Sequence, residues 1–379
     1  MVFFFWINDI IKWVVILLDK AIELLKLFDE NGFEAYIVGG FVRDYILKKE
    51  SMDVDIATNA TPKQIQEIFK DVKLPFEEYG SVHLTYKKVN FEITTFRMDL
   101  EYKNSRKPSK IVYTDNLEID LKRRDFTMNT LCMDKDKNII DLFNSENDIN
   151  RHLIKSVGNP DKKLKEDALR ILRAVRFATV LDFNLDDELK NAIGNNRKLL
   201  KDLSFFRKKQ ELNKIFSSPN VINGIKYLKR FKLDEYLDIK INDKIVKTND
   251  PLGIWVQVNP SSKYQFTTNE KEYINAVKRI LDDGVINDME LYREGTYVCY
   301  IAAQILGINE VNIYDKFDEL AIKKPEDVNM TKKEIIEYLN LEDKSKVKDI
   351  FRLIEDAIIN KKLDNTKEDI KRYLDNFIK

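Results

Sequence analysis

The stretch of sequence that decides the fold is residues 36–55, which read YIVGGFVRDYILKKESMDVD. Its first three residues predict a buried strand, and the pair Gly39-Gly40 follows directly. Residues 42–47 predict a short helix, so the glycines form a turn that enters a helix N-terminus. Such a turn presents free backbone N–H groups to an anion. We therefore expect a phosphate-binding turn between the first strand and the helix.

The same stretch ends in two aspartates, Asp53 and Asp55. On a strand, side chains two residues apart leave the same face. Two carboxylates on one face suit Mg²⁺, which is usually held by carboxylates together with substrate phosphates. Alone, the glycine pair is typical of a turn and the aspartates of a solvent-facing pair. Their joint spacing favours a nucleotidyl-transfer site in which both aspartates are catalytic metal ligands.

Composition limits the possible classes of protein. The chain has 379 residues, of which 44% are hydrophobic and 34% charged, which predicts a helix-rich globular protein of two or three domains. Lys plus Arg and Asp plus Glu are both 64, so any surface for a polyanion must be a local patch. The two cysteines, Cys132 and Cys299, indicate a reducing, cytoplasmic location. Only two histidines are present, which argues against a zinc enzyme.

The first 18 residues are strongly apolar but are interrupted by Asn8, Asp9 and Lys12. A bilayer-spanning helix needs about 20 mostly apolar residues. We therefore predict an extension helix that packs on the protein, with no stable membrane association. A helix lying in the membrane interface is the alternative.

The remaining pattern predicts an α/β unit followed by helices almost to the C-terminus. We expect the following local elements: a helix at 20–30, a helix from Thr61 to about Val72, a hairpin of strands 82–87 and 91–96, a mobile polar loop at 97–120, and a possible break around 249–268. Glu92 lies on the hairpin, where it is either a third metal-facing carboxylate or a solvent-facing residue.

A second cluster has the spacing Glu-Asp-x-x-Arg-x-x-Arg-x-x-Arg over residues 166–176. We predict one long helix here, on which Glu166, Asp167, Arg170 and Arg173 share an arc of roughly 120° and Arg176 points away. A salt-bridged solvent face is the plain interpretation, because Asp and Arg three residues apart often pair.

The chemistry of an Asp–Arg pair favours base recognition instead. A carboxylate only accepts hydrogen bonds and a guanidinium only donates them. Asp167 beside Arg170 therefore matches an amino group next to a ring nitrogen, the edge that cytosine and adenine share. Uracil and guanine would place a carbonyl against the carboxylate, and such a mismatch is strongly rejected.

Residues 123–129, with the pattern Arg-Arg-Asp-Phe-Thr-x-Asn, supply further polar groups. Arg124 could hold a triphosphate, Asp125 could accept from a ribose hydroxyl, and Asn129 could orient a phosphate or the arginine. A charge pair at a helix start is the alternative.

Together these motifs resemble the class II tRNA nucleotidyltransferases and bacterial poly(A) polymerases, and most of all the bacterial enzymes that complete the CCA end of tRNA. The motifs that carry the resemblance lie in residues 36–178, with a weaker match at Arg207 and Glu211. The resemblance implies an α+β fold: a polymerase β-like nucleotidyltransferase head with a short mixed sheet, then an all-helical neck, body and tail. It implies an extension helix at 1–19, the head at 20–150, the neck at 151–215, the body at 216–310 and the tail at 311–379.

The resemblance also implies residue roles. Mg²⁺ is expected on Asp53 and Asp55, and the base is expected to be read by Asp167 and Arg170. The expected nucleotide-binding residues are Gly39, Gly40, Arg43, Arg124, Asp125, Asn129, Asp167, Arg170, Arg173 and Arg176. The loop that includes Arg106 corresponds to one thought to help the family switch from C to A addition.

The implied substrates are CTP, ATP and tRNA, the last bound at its 3′ end and acceptor stem, by a monomer or homodimer. Basic residues of the helical half could contact tRNA phosphates or form a solvated face: Lys208, Lys209, Lys226, Lys229 and Arg230. A poly(A) polymerase, or an enzyme that adds only A or only C, shares almost every motif. A catalytically silent RNA-binding relative is the alternative from another class, and the intact aspartates argue against it.

Overall fold

The computed structural model describes residues 2–51, 53–69, 72–76, 80–103, 107–309 and 311–377. The chain divides into two compact units, Met1–Asp238 and Ile239–Lys379. The predicted break at 249–268 is wrong, because this stretch lies inside the second unit and contains the helix Pro251–Gln257. The finer division into head, neck, body and tail stays a prediction.

The first unit contains strands and helices. Its strands are β1 (Ala35–Val38), β2 (Asp55–Thr58), β3 (Val72–Phe76), β4 (Ser81–Tyr86), β5 (Val89–Thr95), β6 (Arg97–Lys103), β7 (Lys107–Tyr113), β8 (Cys132–Met133), β9 (Ile139–Ile140), β10 (Leu153–Ile154) and β11 (Asn184–Leu185). Its helices are α1 (Val2–Glu30), α2 (Gly40–Ile46), α3 (Pro62–Ile68), α4 (Leu117–Lys122), α5 (Ser145–Asn150), α6 (Pro160–Glu166), α7 (Leu169–Leu181), α8 (Asp187–Asn196), α9 (Phe205–Phe216), α10 (Val221–Arg230) and α11 (Asp234–Leu237).

A seven-stranded mixed sheet carries the first unit, in the order β3-β4-β5-β2-β1-β8-β9. The pair β2 and β5 is parallel and the other neighbouring pairs are antiparallel. The predicted α+β fold with a mixed sheet in the head is confirmed, although seven strands make the sheet larger than expected. The predicted hairpin is β4–β5, which turns at Lys87 and Lys88, both with positive φ.

Two predictions about the head are wrong. The stretch 97–120 is not a loop: β6 and β7 form an antiparallel hairpin from Arg97–Tyr113 to Lys103–Lys107, and α4 follows. Charged residues concealed its alternation, while Tyr102 and the run Ile-Val-Tyr at 111–113 favour strands. Arg106 lies outside the described residues. The helix from Thr61 ends at Ile68, because Phe69 is already extended, with φ −121° and ψ 135°.

The N-terminal segment and the predicted helix at 20–30 form one helix of 29 residues, α1. Its described apolar side chains pack into the core, with Leu17, Leu24 and Phe28 at 2% exposure or less. Gly32 ends the helix with φ +80°, a conformation that glycine adopts without strain. Within the described part of the chain, no helix is long and apolar enough to cross a membrane.

The second unit is helical throughout its described part. Its helices are α12 (Pro251–Gln257), α13 (Thr268–Asp283), α14 (Asp288–Leu306), α15 (Val311–Asp318), α16 (Lys332–Leu339), α17 (Val347–Ile359) and α18 (Lys367–Leu374). Ile335, Ile354 and Ile370 join α16, α17 and α18 in one apolar cluster.

Candidate active site

The glycine turn lies where β1 meets α2. Gly39 has φ 76° and ψ −130°, a backbone conformation that residues with a Cβ rarely adopt. A Cβ built on Gly39 would lie 3.4 Å from Nη1 of Arg124. The turn therefore lets the backbone approach a guanidinium group, and its role as a phosphate-binding turn stays a prediction.

The two aspartates lie beside this turn. Asp55 opens β2, opposite Val38 on β1 and beside Glu92 on β5, and Asp53 precedes it. Although the Asp55 side chain is open to solvent, the walls of the concave site restrict its hydration. This desolvation, together with repulsion by Glu92 and Asp53, raises the pKa of Asp55 to about 6, against the attraction of Arg124.

The donor set fits a hard divalent cation. Asp53 and Asp55 offer carboxylate oxygens, which Mg²⁺ prefers, and a cation would relieve the repulsion between the carboxylates. Among the described residues, no group of three His, Cys, Asp or Glu side chains is arranged to hold a metal. Mg²⁺ usually keeps several waters and takes substrate phosphate oxygens, so two protein carboxylates are sufficient. Glu92 pairs with Asp55 across β2 and β5 and its side chain is exposed, which favours the solvent-facing alternative for this residue.

Asp120 holds the two arginines of the Arg-Arg-Asp motif. Its carboxylate is fully buried and accepts from Nε of Arg123 at 2.9 Å, from Nη2 of Arg124 at 3.2 Å and from the backbone N–H of Arg97 at 3.2 Å. Burial alone would raise the pKa of Asp120, but the two guanidinium groups lower it. In the described part of the chain, the buried Nε of Arg124 has no hydrogen-bond partner. A ligand phosphate would satisfy this donor.

A second network joins three motifs through Asp125. Its Oδ2 accepts from Nε of Arg173 at 2.6 Å, and its Oδ1 accepts from Nδ2 of Asn129 at 3.0 Å. Asn129 in turn accepts from Nη1 of Arg43 at 2.9 Å, and Arg43 also pairs with both carboxylate oxygens of Asp44 at 2.8 Å. Burial opposes ionisation of Asp125, but Arg173 and Asn129 outweigh it and hold its pKa at about 2. Asp125 is therefore ionised at neutral pH.

The prediction of one long helix over residues 166–176 is wrong. The helix α6 ends at Glu166, Asp167 is extended with φ −142° and ψ 106°, and α7 begins at Leu169. Oδ1 of Asp167 accepts the backbone N–H of Leu169 at 3.0 Å, in the manner of a residue that caps a helix. The predicted 120° arc therefore does not exist, although Asp167 and Arg170 still reach the same cavity.

The predicted base-reading residues have different partners in this structure. Arg170 donates through Nη1 to Oε2 of Glu166 and through Nη2 to the carbonyl of Arg123, both at 2.9 Å. Asp167 instead has Nη2 of Arg207 at 3.7 Å from its Oδ2. Burial raises the pKa of Asp167, and Arg207 opposes this rise most strongly. The weak sequence match at Arg207 was the only signal for this contact.

Three arginines surround one aromatic ring, which the sequence did not single out. The guanidinium carbons of Arg176, Arg43 and Arg173 lie 4.1, 5.3 and 5.4 Å from the centroid of Phe177. Arg176 also meets Oε2 of Glu211 at 3.3 Å. Burial lowers the pKa of Arg176 to about 10, with Glu211 opposing, so the guanidinium stays charged at neutral pH.

All twelve predicted site residues line one cavity of about 570 Å³. Phe41, Asp44, Ser51, Arg123 and Phe177 complete its lining. Six arginines face five aspartates, a balance that suits a highly charged anion carrying its own cation. The structure thus brings the predicted residues together, and the role of each stays a prediction. Lys208 is excluded as a surface contact for RNA, because it is 2% exposed and donates to the carbonyl of Tyr236.

A glycine turn, two aspartates at the start of β2 and an arginine-rich cavity on a mixed sheet followed by helices define a nucleotidyltransferase. Residues 35–155 match the family described as "Poly A polymerase head domain", and residues 182–238 match "Probable RNA and SrmB- binding site of polymerase A". The CCA-adding enzyme of Staphylococcus epidermidis is 32% identical over 95% of this chain and 98% of its own length. That of Lactobacillus helveticus is 32% identical over 94% and 96%. The chain belongs to the CCA-adding enzyme family.

A solved structure agrees with this assignment. The Bacillus stearothermophilus CCA-adding enzyme in complex with CTP superimposes with a TM-score of 0.80, at 26% identity, over 95% of this chain and 97% of that one. The predicted family and fold class are confirmed.

Proposed function

We propose that this chain is a CCA-adding tRNA nucleotidyltransferase, which adds C, C and A to the 3′ end of tRNA from CTP and ATP without a nucleic-acid template. The observation that carries the proposal is the single cavity in which all twelve predicted residues meet. Its whole-length relatives share this activity by name, which supports the substrate assignment.

Asp53 and Asp55 would hold Mg²⁺. Bound there, the metal would supply Lewis-acid activation of the primer hydroxyl and neutralise charge on the triphosphate. The chain contributes the carboxylates, and Asp55 is placed by its pairing with β1 and β5. No histidine base is required for this reaction.

The triphosphate would lie between the glycine turn and Arg124. Arg124 is held by Asp120, and its unpaired Nε remains available for a phosphate oxygen. Asp44 and Asn129 hold the Arg43 side chain in place. Its positive charge is therefore already positioned in the cavity, and no side-chain entropy is lost when the triphosphate binds. Asp125 would accept from the ribose, because it is ionised and rigid.

Asp167 and Arg170 would read the base. Arg170 has five N–H donors, of which three are used, by Glu166, by the carbonyl of Lys163 and by the carbonyl of Arg123. Two donors therefore remain among the described contacts for a ring nitrogen. Asp167 keeps its Oδ2 for an amino group, with Arg207 3.7 Å away.

The first test is incorporation of labelled CTP and ATP, with Mg²⁺, onto three tRNA transcripts. One transcript lacks the whole CCA end, one ends in its first C and one ends in its second C. Ordered addition of two C and one A establishes the proposed activity. Repeated addition of A on unrelated RNA would instead indicate a poly(A) polymerase, and a single A only on the third transcript would indicate an A-adding enzyme.

Two variants test the residue roles. Asp55→Ala should abolish transfer while the fold is kept, and retained activity would contradict the metal assignment. Asp167→Ala should weaken the preference for CTP and ATP over UTP and GTP. Unchanged rejection of UTP and GTP would refute base reading by Asp167.

We also infer a cytoplasmic location, which the two free, buried cysteines support. Fractionation of cells that express a tagged chain would test it, and recovery with membranes would contradict it. The choice between monomer and homodimer stays a prediction, which light scattering would decide.

A further inference from the structure

A second cavity also has the two aspartates in its lining. Its volume is about 560 Å³, close to that of the nucleotide cavity. Its lining residues are Asp53, Val54, Asp55, Lys73, His83, Thr85, Asn90, Phe91 and Glu92. The two cavities therefore share Asp53 and Asp55 and otherwise have different walls.

The floor of this second cavity is a row of polar side chains across four strands. The row is Asp55 on β2, Glu92 on β5, His83 on β4 and Lys73 on β3. Directly paired residues of neighbouring strands project to the same face of a sheet. Three strand spacings of about 4.8 Å give the row a length of about 14 Å. It runs from the acidic catalytic end to a basic end at Lys73.

The charges of the two cavities differ. The nucleotide cavity has six arginines, which suit a triphosphate, whereas the described lining of the second cavity has one lysine and no arginine. A single lysine suits one phosphodiester better than a triphosphate. Beside the row, Thr85 donates to Oδ1 of Asn90 at 2.8 Å, which leaves the Asn90 amide N–H groups directed away from that oxygen. Amide N–H groups of this kind pair with sugar or base acceptors of RNA.

The reaction requires two substrates to meet at the shared aspartates. The acceptor's 3′ oxygen forms a bond to the α-phosphorus while the bond from that phosphorus to the bridging oxygen breaks. Pyrophosphate leaves with the electron pair, and the hydroxyl proton passes to solvent. Because attack and departure are in line, the acceptor approaches from the side opposite the triphosphate. The second cavity meets the nucleotide cavity at these aspartates and otherwise has different walls, so it offers the acceptor a separate approach to them.

We propose that this second cavity is the acceptor groove, in which the 3′-terminal strand of the RNA crosses β5, β4 and β3 and a backbone phosphate meets Lys73. This assignment rests on the proposed nucleotidyl transfer and adds the residues that hold its second substrate. A groove of about 14 Å accommodates about four stacked nucleotides at 3.4 Å each.

The test compares Lys73→Ala with Lys63→Ala, a matched loss of one exposed lysine on α3 that lines neither cavity. Lys73→Ala should raise the KM for a tRNA transcript up to about fivefold, as for one exposed ion pair, and leave the KM for CTP unchanged. The slope of log Kd for tRNA against log salt should fall by about 1. Equal effects of the two variants, or a raised KM for CTP in Lys73→Ala, would overturn the assignment of this cavity as the acceptor groove.

A second measurement locates the phosphate. Transcripts carry one neutral methylphosphonate at each of the last four linkages in turn, and their binding to wild type and Lys73→Ala is compared. At one linkage, the losses of binding free energy caused by the methylphosphonate and by Lys73→Ala should not add, because both remove the same contact. Additive losses at all four linkages would refute the contact.

Wild-type CCA addition separates the two proposals. If the wild-type chain adds no nucleotide to any transcript, the proposed function fails. If it adds CCA and Lys73→Ala behaves as Lys63→Ala does, only the acceptor groove fails.

Discussion

Asp120→Asn should disturb the positions of Arg123 and Arg124, although Asp120 itself does not line the nucleotide cavity. The native carboxylate is fully buried and neutralises Arg123 and Arg124, and it also accepts from the backbone of Arg97. Loss of one partner of a buried ion pair costs about 3–5 kcal/mol. Asparagine keeps one acceptor oxygen, so we expect a loss of about 2–3 kcal/mol in the free energy of unfolding.

Glu118→Gln is the matched control, because it removes one negative charge from the same helix. Glu118 pairs with Lys122 at 2.7 Å, but both side chains are at least half exposed. An exposed pair contributes about 0.2–1 kcal/mol, so this variant should be nearly as stable as wild type. Urea unfolding of the three proteins at pH 7 measures both differences. Equal stability of the two variants would refute the reasoning about Asp120.

The pH dependence supplies a second check. The pKa of Asp120 is lowered in the fold, so its charge stabilises the protein above the ordinary carboxyl pKa of about 4. This stabilisation is lost as the pH falls through the lowered value. Asparagine does not titrate, so the stability difference between wild type and Asp120→Asn should shrink below about pH 4. A difference that stays constant would contradict the charge argument.

Asp120→Asn should also change catalysis through Arg124. Without its carboxylate partner the guanidinium is no longer fixed beside the glycine turn. We expect the KM for CTP to rise about tenfold, which corresponds to about 1.4 kcal/mol. An unchanged KM would mean that Arg124 is positioned by other contacts.

Three further predictions concern the same cavity. Gly39→Ala should lower the free energy of unfolding by about 1–3 kcal/mol, because φ is 76° and the new Cβ would meet Arg124. Gly194→Ala is the control: Gly194 lies in open space on a helix, so this change should be neutral or stabilising. Thermal melting compares the two variants, and equal melting temperatures would refute the predicted strain at Gly39. Phe177→Leu should raise the KM for CTP by about tenfold or more, because three cation–π contacts of about 0.5–1 kcal/mol each are lost. Phe177→Tyr keeps an aromatic ring and should retain the KM of wild type. Steady-state kinetics compares the two variants, and equal KM values would reject this prediction. Chelation with EDTA should abolish CTP incorporation and added Mg²⁺ should restore it; incorporation that persists in EDTA would remove the metal from the proposal.

Much of the site could be predicted because its signals are local in the sequence. The glycine turn, the aspartate pair and the cap of α3 each depend on residues a few positions apart. Thr61 and Gln64, for example, form a capping box around Pro62 at the start of the helix that was predicted to begin at Thr61. The resemblance to known enzymes supplied the remaining site residues, and all of them reached one cavity.

The features that sequence did not predict depend on distant contacts. The break at Asp167 contains neither Gly nor Pro, so helical periodicity continued across it. The convergence of Arg43, Arg173 and Arg176 on Phe177 depends on how α2 meets α7. Asp120 gave no signal either, because an acidic residue in the first turn of a short helix is usually exposed.

The break at Asp167 has a consequence for the evolvability of nucleotide choice. Its Oδ1 accepts the backbone N–H of Leu169, the first residue of α7, and the side-chain oxygen of asparagine can accept this bond equally well. Asp167→Asn would therefore keep the helix while offering an amide N–H to a carbonyl, the group that uracil and guanine present. If Asp167 reads the base, one codon change could widen the substrate range at little cost in folding. Selection for strict CCA ends must then act on the chemistry of this side chain, since the scaffold tolerates the alternative.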